Sequence, residues 1–220
     1  GGISIKPSKS MGDMKGDMSG AAAVFATMQG LAELNCKNHV KAIIPLVENM
    51  PSGNAYKPGD VITAMNGKTI EVINTDAEGR LILADALCLA CTYKPKLIVD
   101  IATLTGACSV ALGDAASAIL GNHKPFINQF LNLEHSTGER FWHLPLYEDY
   151  KGYLKSDTAD IMNCAENRLA GTNTAASFLE EFVEDYPWIH LDIASTMQNT
   201  TTKGFHIKGM SGVATRTLIE

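Results

Sequence analysis

The chain has 220 residues, 45% of them hydrophobic and 19% charged, with 18 Lys and Arg against 24 Asp and Glu for a net charge of −6. That length supports a full hydrophobic core, and that composition excludes a disordered or coiled-coil chain. No stretch approaches the roughly 18 uncharged apolar residues of a membrane span, and the acidic excess falls entirely in the second half, so neither membrane nor nucleic acid is expected as a partner. Cys36, Cys88, Cys91, Cys108 and Cys164 are odd in number and scattered among apolar neighbours, the usage of reduced, mostly buried thiols in a cytoplasmic protein. Cys88-x-x-Cys91 sits in a helix-like run without a second pair, which favours packing over redox or zinc chemistry.

In chain order, a short strand leads into Lys6, and residues 19–35 read as a helix with Ser19 as N-cap and Val24, Met28, Leu31 and Leu34 at helical spacing. Residues 40–47 read as a buried strand interrupted at Pro45, and the Pro- and Gly-rich stretch 49–60 as a loop. Segments 61–64 and 69–73 flank Asn66-Gly67, a strong hairpin signal. Residues 80–93 form a helix stopped before Pro95, and 97–102 a strand apolar on both faces. Residues 174–186 form an amphipathic helix ended by Pro187, and 188–194 a further buried strand. Strands alternating with helices predict an α/β fold: one layered domain over 1–220, with a central mostly parallel (mixed) sheet flanked by helices. Sites in such sheets collect at the carboxyl ends of strands.

Several familiar chemistries lack their motifs. Gly67-Lys68-Thr69 resembles a P-loop ending, but Ile62 stands where its first glycine belongs, and Gly209–Val213 lacks the second glycine of a nucleophile elbow. An acidic constellation remains at 74–81, NTDAEGRL, after a strand and before a helix. One reading is a capping box, with Thr75 as cap and Glu78 reaching back. That leaves Asp76 and Arg80 without a role. In an extended segment residues 76, 78 and 80 project to one side, and two such carboxylates suit divalent cations. Asp13 and Asp17, four apart before the first helix, are either further oxygen ligands or solvated carboxylates favoured by the helix dipole, and spacing does not separate them.

NTDAEGRL resembles the signature of the leucine aminopeptidase (cytosol aminopeptidase) family. GGISIK at 1–6, DM-x-x-DM with GAAAV at 13–24, ENMPSG at 48–53, YKPGDV at 56–61, DIATLTGA at 100–107, LPL at 144–146 and HLDIA at 190–194 extend the resemblance over essentially the whole chain. The resemblance implies a hydrolase that removes N-terminal, preferably apolar amino acids from peptides through two divalent metal ions. Zinc or manganese, with magnesium as a third choice, would be held by Asp17 (rather than Asp13), Asp76 and Glu78. Lys6 matches the catalytic lysine that polarises the scissile carbonyl, and Arg80 the arginine holding a bicarbonate that serves as general base. Thr103, Leu104 and Gly106 match the loop that orients the substrate backbone. Met14, Ala194 and Met197 match walls of the pocket for the N-terminal side chain. A cytoplasmic homohexamer is implied as the assembly.

The family pattern also carries a metal-ligand lysine and a bridging aspartate ahead of the GGISIK motif that opens this chain. Residues 1–220 by themselves are therefore expected to be inactive and prone to associate, with one of the site carboxyls raised. A non-catalytic scaffold or binding subunit on the same fold is the alternative expectation.

Overall fold

The structure, a computed structural model, describes residues 1–9 and 11–220. A 3-10 helix, Met11–Met18, runs directly into α1 (Ser19–Glu33). The hairpin β1 (Val61–Thr63) and β2 (Thr69–Glu71) follows, then α2 (Gly79–Thr92), β3 (Ile98–Ala102), α3 (Gly106–Leu112) and β4 (Ser117–Gly121). Next come α4 (Lys124–Asn132), α5 (Glu134–Thr137), β5 (Phe141–His143), a second 3-10 helix (Glu148–Leu154) and β6 (Ile161–Met162). The chain closes with α6 (Gly171–Glu180), β7 (Trp188–Asp192), the small pair β8 (Gln198–Asn199) and β9 (Gly209–Met210), and α7 (Thr215–Ile219).

The main sheet has the order β3-β7-β4-β5, with β3 and β7 parallel, β4 antiparallel to β7, and β5 parallel to β4. It is mixed: β3 and β7 run one way, β4 and β5 the other. Alternation along the strands sorts its side chains into two cores. Ile98, Ala118, Leu120 and Trp188 pack with Leu81, Ala84 and Leu87 of α2 and Phe178 and Leu179 of α6. Ile101, Ile119, Ile189 and Leu191 face the opposite way, onto Ala23 of α1 and Ile127 and Phe130 of α4. Each face is thereby covered by helices, which is why these strands read as continuous apolar runs. α1 lies so close to β3 that a Cβ on Gly20 would run into the Ile101 carbonyl. This approach holds the preceding turn, with Asp17, over the carboxyl end of β3. A second sheet, β1-β2-β6, pairs the hairpin with β6, and Gly67 at φ +88° closes the Asn66-Gly67 turn.

Four local expectations are corrected. Residues 40–47 form no strand: the segment is irregular, Val40, Leu46 and Val47 are exposed, and no described strand bonds to it. A ladder needs a partner, and β-branched residues alone do not supply one. Residues 3–5 are likewise not a strand, and Ile3 and Ile5 are exposed. The helix expected over 174–186 is α6, which starts earlier and ends at Glu180. Its last turns tighten into bonds from Phe182 N to the Leu179 carbonyl (3.0 Å) and Val183 N to the Glu180 carbonyl (3.4 Å), and Glu184 then takes a left-handed φ of +51°. Finally, Ser19 does not cap α1; Met18 holds that position, and the Ser19 hydroxyl donates backward to the Gly16 carbonyl at 2.5 Å. The five cysteines are free, with Cys88, Cys91 and Cys108 buried and Cys36 and Cys164 half-buried. No described helix is long and apolar enough to cross a membrane.

Candidate active site

The acidic segment is shaped by a turn rather than by an extended strand, which corrects the geometric premise for Asp76, Glu78 and Arg80. Asn74 accepts from Asp76 N through its side chain (2.8 Å) and from Ala77 N through its carbonyl (3.2 Å). Glu78 is already helical, at φ −80° and ψ −32°, and caps nothing with its side chain. Thr75 is not the cap either. Its hydroxyl accepts from Ser4 N at 3.0 Å while Thr75 N donates to the Ser4 hydroxyl at 3.1 Å, so the capping-box reading fails and the pair instead ties Lys6's segment to the acidic turn. Lys6 Nζ accordingly reaches Asp76 and forms an ion pair with it. Tyr56 closes the same corner, donating to the Thr75 carbonyl at 3.0 Å; burial, then Glu78 and Asp76, push its hydroxyl up to about 12.

Asn163, which no sequence motif flags, organises this turn. Its Oδ1 accepts from Ile73 N (2.8 Å) and Asn74 N (3.3 Å), and its Nδ2 donates to the carbonyls of Asn74 (2.8 Å) and Ala77 (3.2 Å). Its own carbonyl accepts from Arg80 Nη1 at 2.9 Å. One wholly buried residue thus fixes the acidic turn through its side-chain amide and the guanidinium behind it through its main-chain carbonyl. The only available signal was its place just after β6, a strand of two residues that sequence periodicity cannot detect.

Asp17, at the end of the first 3-10 helix, accepts from the Thr103 hydroxyl at 2.6 Å and lies near enough to act on Glu78. Burial pushes the Glu78 carboxyl up, Asp17 and Asp76 push it further, and Lys6 opposes them. The expected raised carboxyl is therefore present, with burial as its largest cause. Glu78 Oε2 is buried without a partner, and so is Arg80 Nε. Arg80 itself is buried, facing Cys164, Asp192 and Glu78. These orphaned atoms and the all-oxygen donor set fit a cation at Glu78 and an anion at Arg80. Among the described residues no three His, Cys, Asp or Glu side chains yet form a group able to hold a metal ion. Asp76 is engaged by Lys6 and Asp17 by Thr103, so two of the three carboxylates turn to other partners.

Thr103 and Leu104 occupy the loop between β3 and α3, and Gly106 opens α3, with Leu104 packed against Gly79 at the head of α2. Ala194 follows β7, the strand parallel to β3, so both segments emerge at the same end of the sheet. Met197 joins them: its Sδ lies 3.4 Å from where a Cβ on Gly16, between Met14 and Asp17, would stand. Met210, which the sequence did not suggest, covers the same glycine, its Sδ 3.0 Å from where a Cβ on Gly16 would stand. Met14 is half-buried on the same 3-10 helix as Asp17. The arrangement offers a cationic donor and clustered carboxylates near one strand end, with the thioethers of Met197 and Met210 beside the turn that carries Asp17.

A family model described as "Cytosol aminopeptidase family, catalytic domain" matches residues 1–219. A probable cytosol aminopeptidase of Alkaliphilus oremlandii is 52% identical over 99% of this chain and 44% of its own length. Those of a Geobacter species (strain M21) and of Syntrophotalea carbinolica are 51% and 49% identical over 100% of this chain, covering 45% and 44% of theirs. The chain thus spans less than half the length of the curated relatives it matches. Given that match over nearly every residue, the chain belongs to the cytosol aminopeptidase family, through its catalytic domain.

Proposed function

We propose that residues 1–220 are the catalytic domain of a metal-dependent aminopeptidase that releases N-terminal, apolar amino acids from peptides. The observation that carries this reading is the convergence of Lys6, Asp76, Glu78 and Asp17 at one strand end, with a buried, unpartnered Glu78 oxygen among them. Asp17, Asp76 and Glu78 would hold two divalent ions, zinc or manganese or magnesium, and Arg80 a bicarbonate. When bound, the ions supply Lewis acidity and the bicarbonate a base. The chain's own groups do the rest. Lys6, held beside Asp76, donates a hydrogen bond from Nζ to the scissile carbonyl oxygen as negative charge grows there. The loop of Thr103, Leu104 and Gly106 orients the peptide backbone, and Met14, Ala194 and Met197 exclude water from the N-terminal side chain. The same reading carries assembly as a homohexamer and a place in the cytoplasm, and the five free thiols bear on the compartment alone.

The test is Asp76→Ala in the full-length protein, supplied with zinc or manganese and bicarbonate. Hydrolysis of leucyl p-nitroanilide should be abolished and bound metal reduced. Wild-type turnover together with wild-type metal content would overturn the assignment.

A further inference from the structure

The buried carboxylate of Asp192, at the end of β7, has no role in the mechanism above, yet it bonds to both segments assigned to the substrate. Its Oδ1 accepts from Leu104 N at 3.1 Å, Thr105 N at 3.4 Å and Ala194 N at 3.2 Å, and its Oδ2 accepts from the Thr105 hydroxyl at 2.6 Å. The contacts to 104 and 105 cross from β7 to the β3–α3 loop, while the contact to Ala194 turns the chain as it leaves β7.

Thr105 is fully committed by this arrangement. A hydroxyl has one proton and two lone pairs. The proton goes to Asp192, leaving Thr105 Oγ1 to accept from Cys108 N at 3.1 Å, as the N-cap of α3, and from the Thr172 hydroxyl at 2.9 Å, at the start of α6. Asp192, Thr105 and Thr172 are all at least 90% buried, so no water substitutes for a lost partner.

We propose that Asp192 is a positioning residue for peptide binding: it locks the backbone-orienting loop at Leu104 and Thr105 to the pocket wall at Ala194, so that both meet one substrate in a fixed relation. This rests on the proposed peptidase reading, and it assigns Asp192 no contact with substrate or metal. Because the lock acts on groups that bind substrate in ground and transition state alike, its loss raises KM and leaves kcat comparatively untouched.

The experiment compares Asp192→Asn, Thr105→Val, their double variant and Thr105→Ser in the full-length protein, with leucyl p-nitroanilide turnover, bound metal and amide hydrogen exchange at 104, 105 and 194 as readouts. Asparagine keeps the shape but aims an NH2 group at a hydroxyl that has its proton pointing toward it. The expected result is a KM raised about 10-fold in Asp192→Asn and Thr105→Val, the scale of a lost hydrogen bond to a buried charge, with bound metal unchanged. The double variant should be no worse than either single one, and Thr105→Ser should stay near wild type. If Asp192→Asn fails to fold, Thr105→Val with its serine rescue decides. Unchanged KM, or a loss confined to kcat, metal content or melting temperature, overturns the proposal. Wild-type protein that releases no leucine refutes the peptidase reading alone; unchanged exchange at 104, 105 and 194 in Asp192→Asn refutes the lock whatever the activity.

Discussion

Glu78 and Asp192 are both acids that burial pushes upward, but their oxygens meet opposite surroundings. Asp192 is nearly fully enclosed and has donors on both oxygens. Glu78 is half-buried, faces two further carboxylates, and has one oxygen out of water with no partner. Asp100 resembles Asp192: it accepts from Trp188 Nε1 and lies against His190 Nδ1, each at 2.6 Å. A buried acid whose lone pairs are used holds the fold together. One left short of partners is costly to keep, and that cost is what makes Glu78 a candidate binding site.

The contrast breaks most sharply on Glu78→Gln in the full-length protein. Turnover of a leucyl anilide should fall by at least about 100-fold, while the metal-free melting temperature holds or rises, since an unneutralised charge has been removed. A drop of several degrees would put Glu78 in the same class as Asp192. Asp100→Ala should do the reverse. It strands a buried indole N–H and a buried imidazole, so denaturant unfolding should show a loss of about 3 kcal/mol, with KM for the remaining folded enzyme unchanged.

Lys6→Ala sharpens the comparison from the cationic side. Its expected cost is about 100-fold in kcat with metal stoichiometry intact, as for loss of a donor aimed at a developing oxyanion. Altered metal content would instead make Lys6 a keeper of the carboxylate cluster. The smallest effect belongs to Glu181, a satisfied acid near the surface. Burial pushes its carboxyl up, but the ion pairs with Lys68 and Lys151 outweigh burial and hold it below its ordinary value of 4.5. A depressed carboxyl contributes stability above the unfolded value and loses it as pH falls through the folded one. Glu181→Gln should therefore cost under about 1 kcal/mol at pH 7, and the gap to wild type should close below pH 4.5 in urea titrations.

Much of the fold was legible because burial on both faces writes itself into sequence. The strands at Ile98–Ala102 and Trp188–Asp192 and the helix Gly79–Thr92 appear within a residue or two of their expected bounds. The run at 40–47 is as apolar, apart from Lys41 and its break at Pro45, and forms no strand, because sheet membership belongs to a pair of segments and apolarity records only one of them. In α6 the periodicity continued past Glu180 because Phe182 and Val183 stay buried in tightened turns, and burial rather than helix is what the pattern reports.

The site divides along the same line. Charge and spacing singled out Asp76, Glu78 and Arg80 as candidates, while Lys6, and Asp17 rather than Asp13, came only from the resemblance to the family. How they meet was settled by tertiary contacts: the reciprocal Ser4–Thr75 bonds that deliver Lys6 to Asp76, the Thr103 hydroxyl that engages Asp17, and Asn163, whose amide shapes the acidic turn from 86 to 90 positions away. An asparagine or a threonine is common, and its worth depends on which backbone groups lie opposite. Residue chemistry is carried by the sequence one position at a time, whereas the partner that satisfies or strands a buried oxygen exists only once distant segments are packed together.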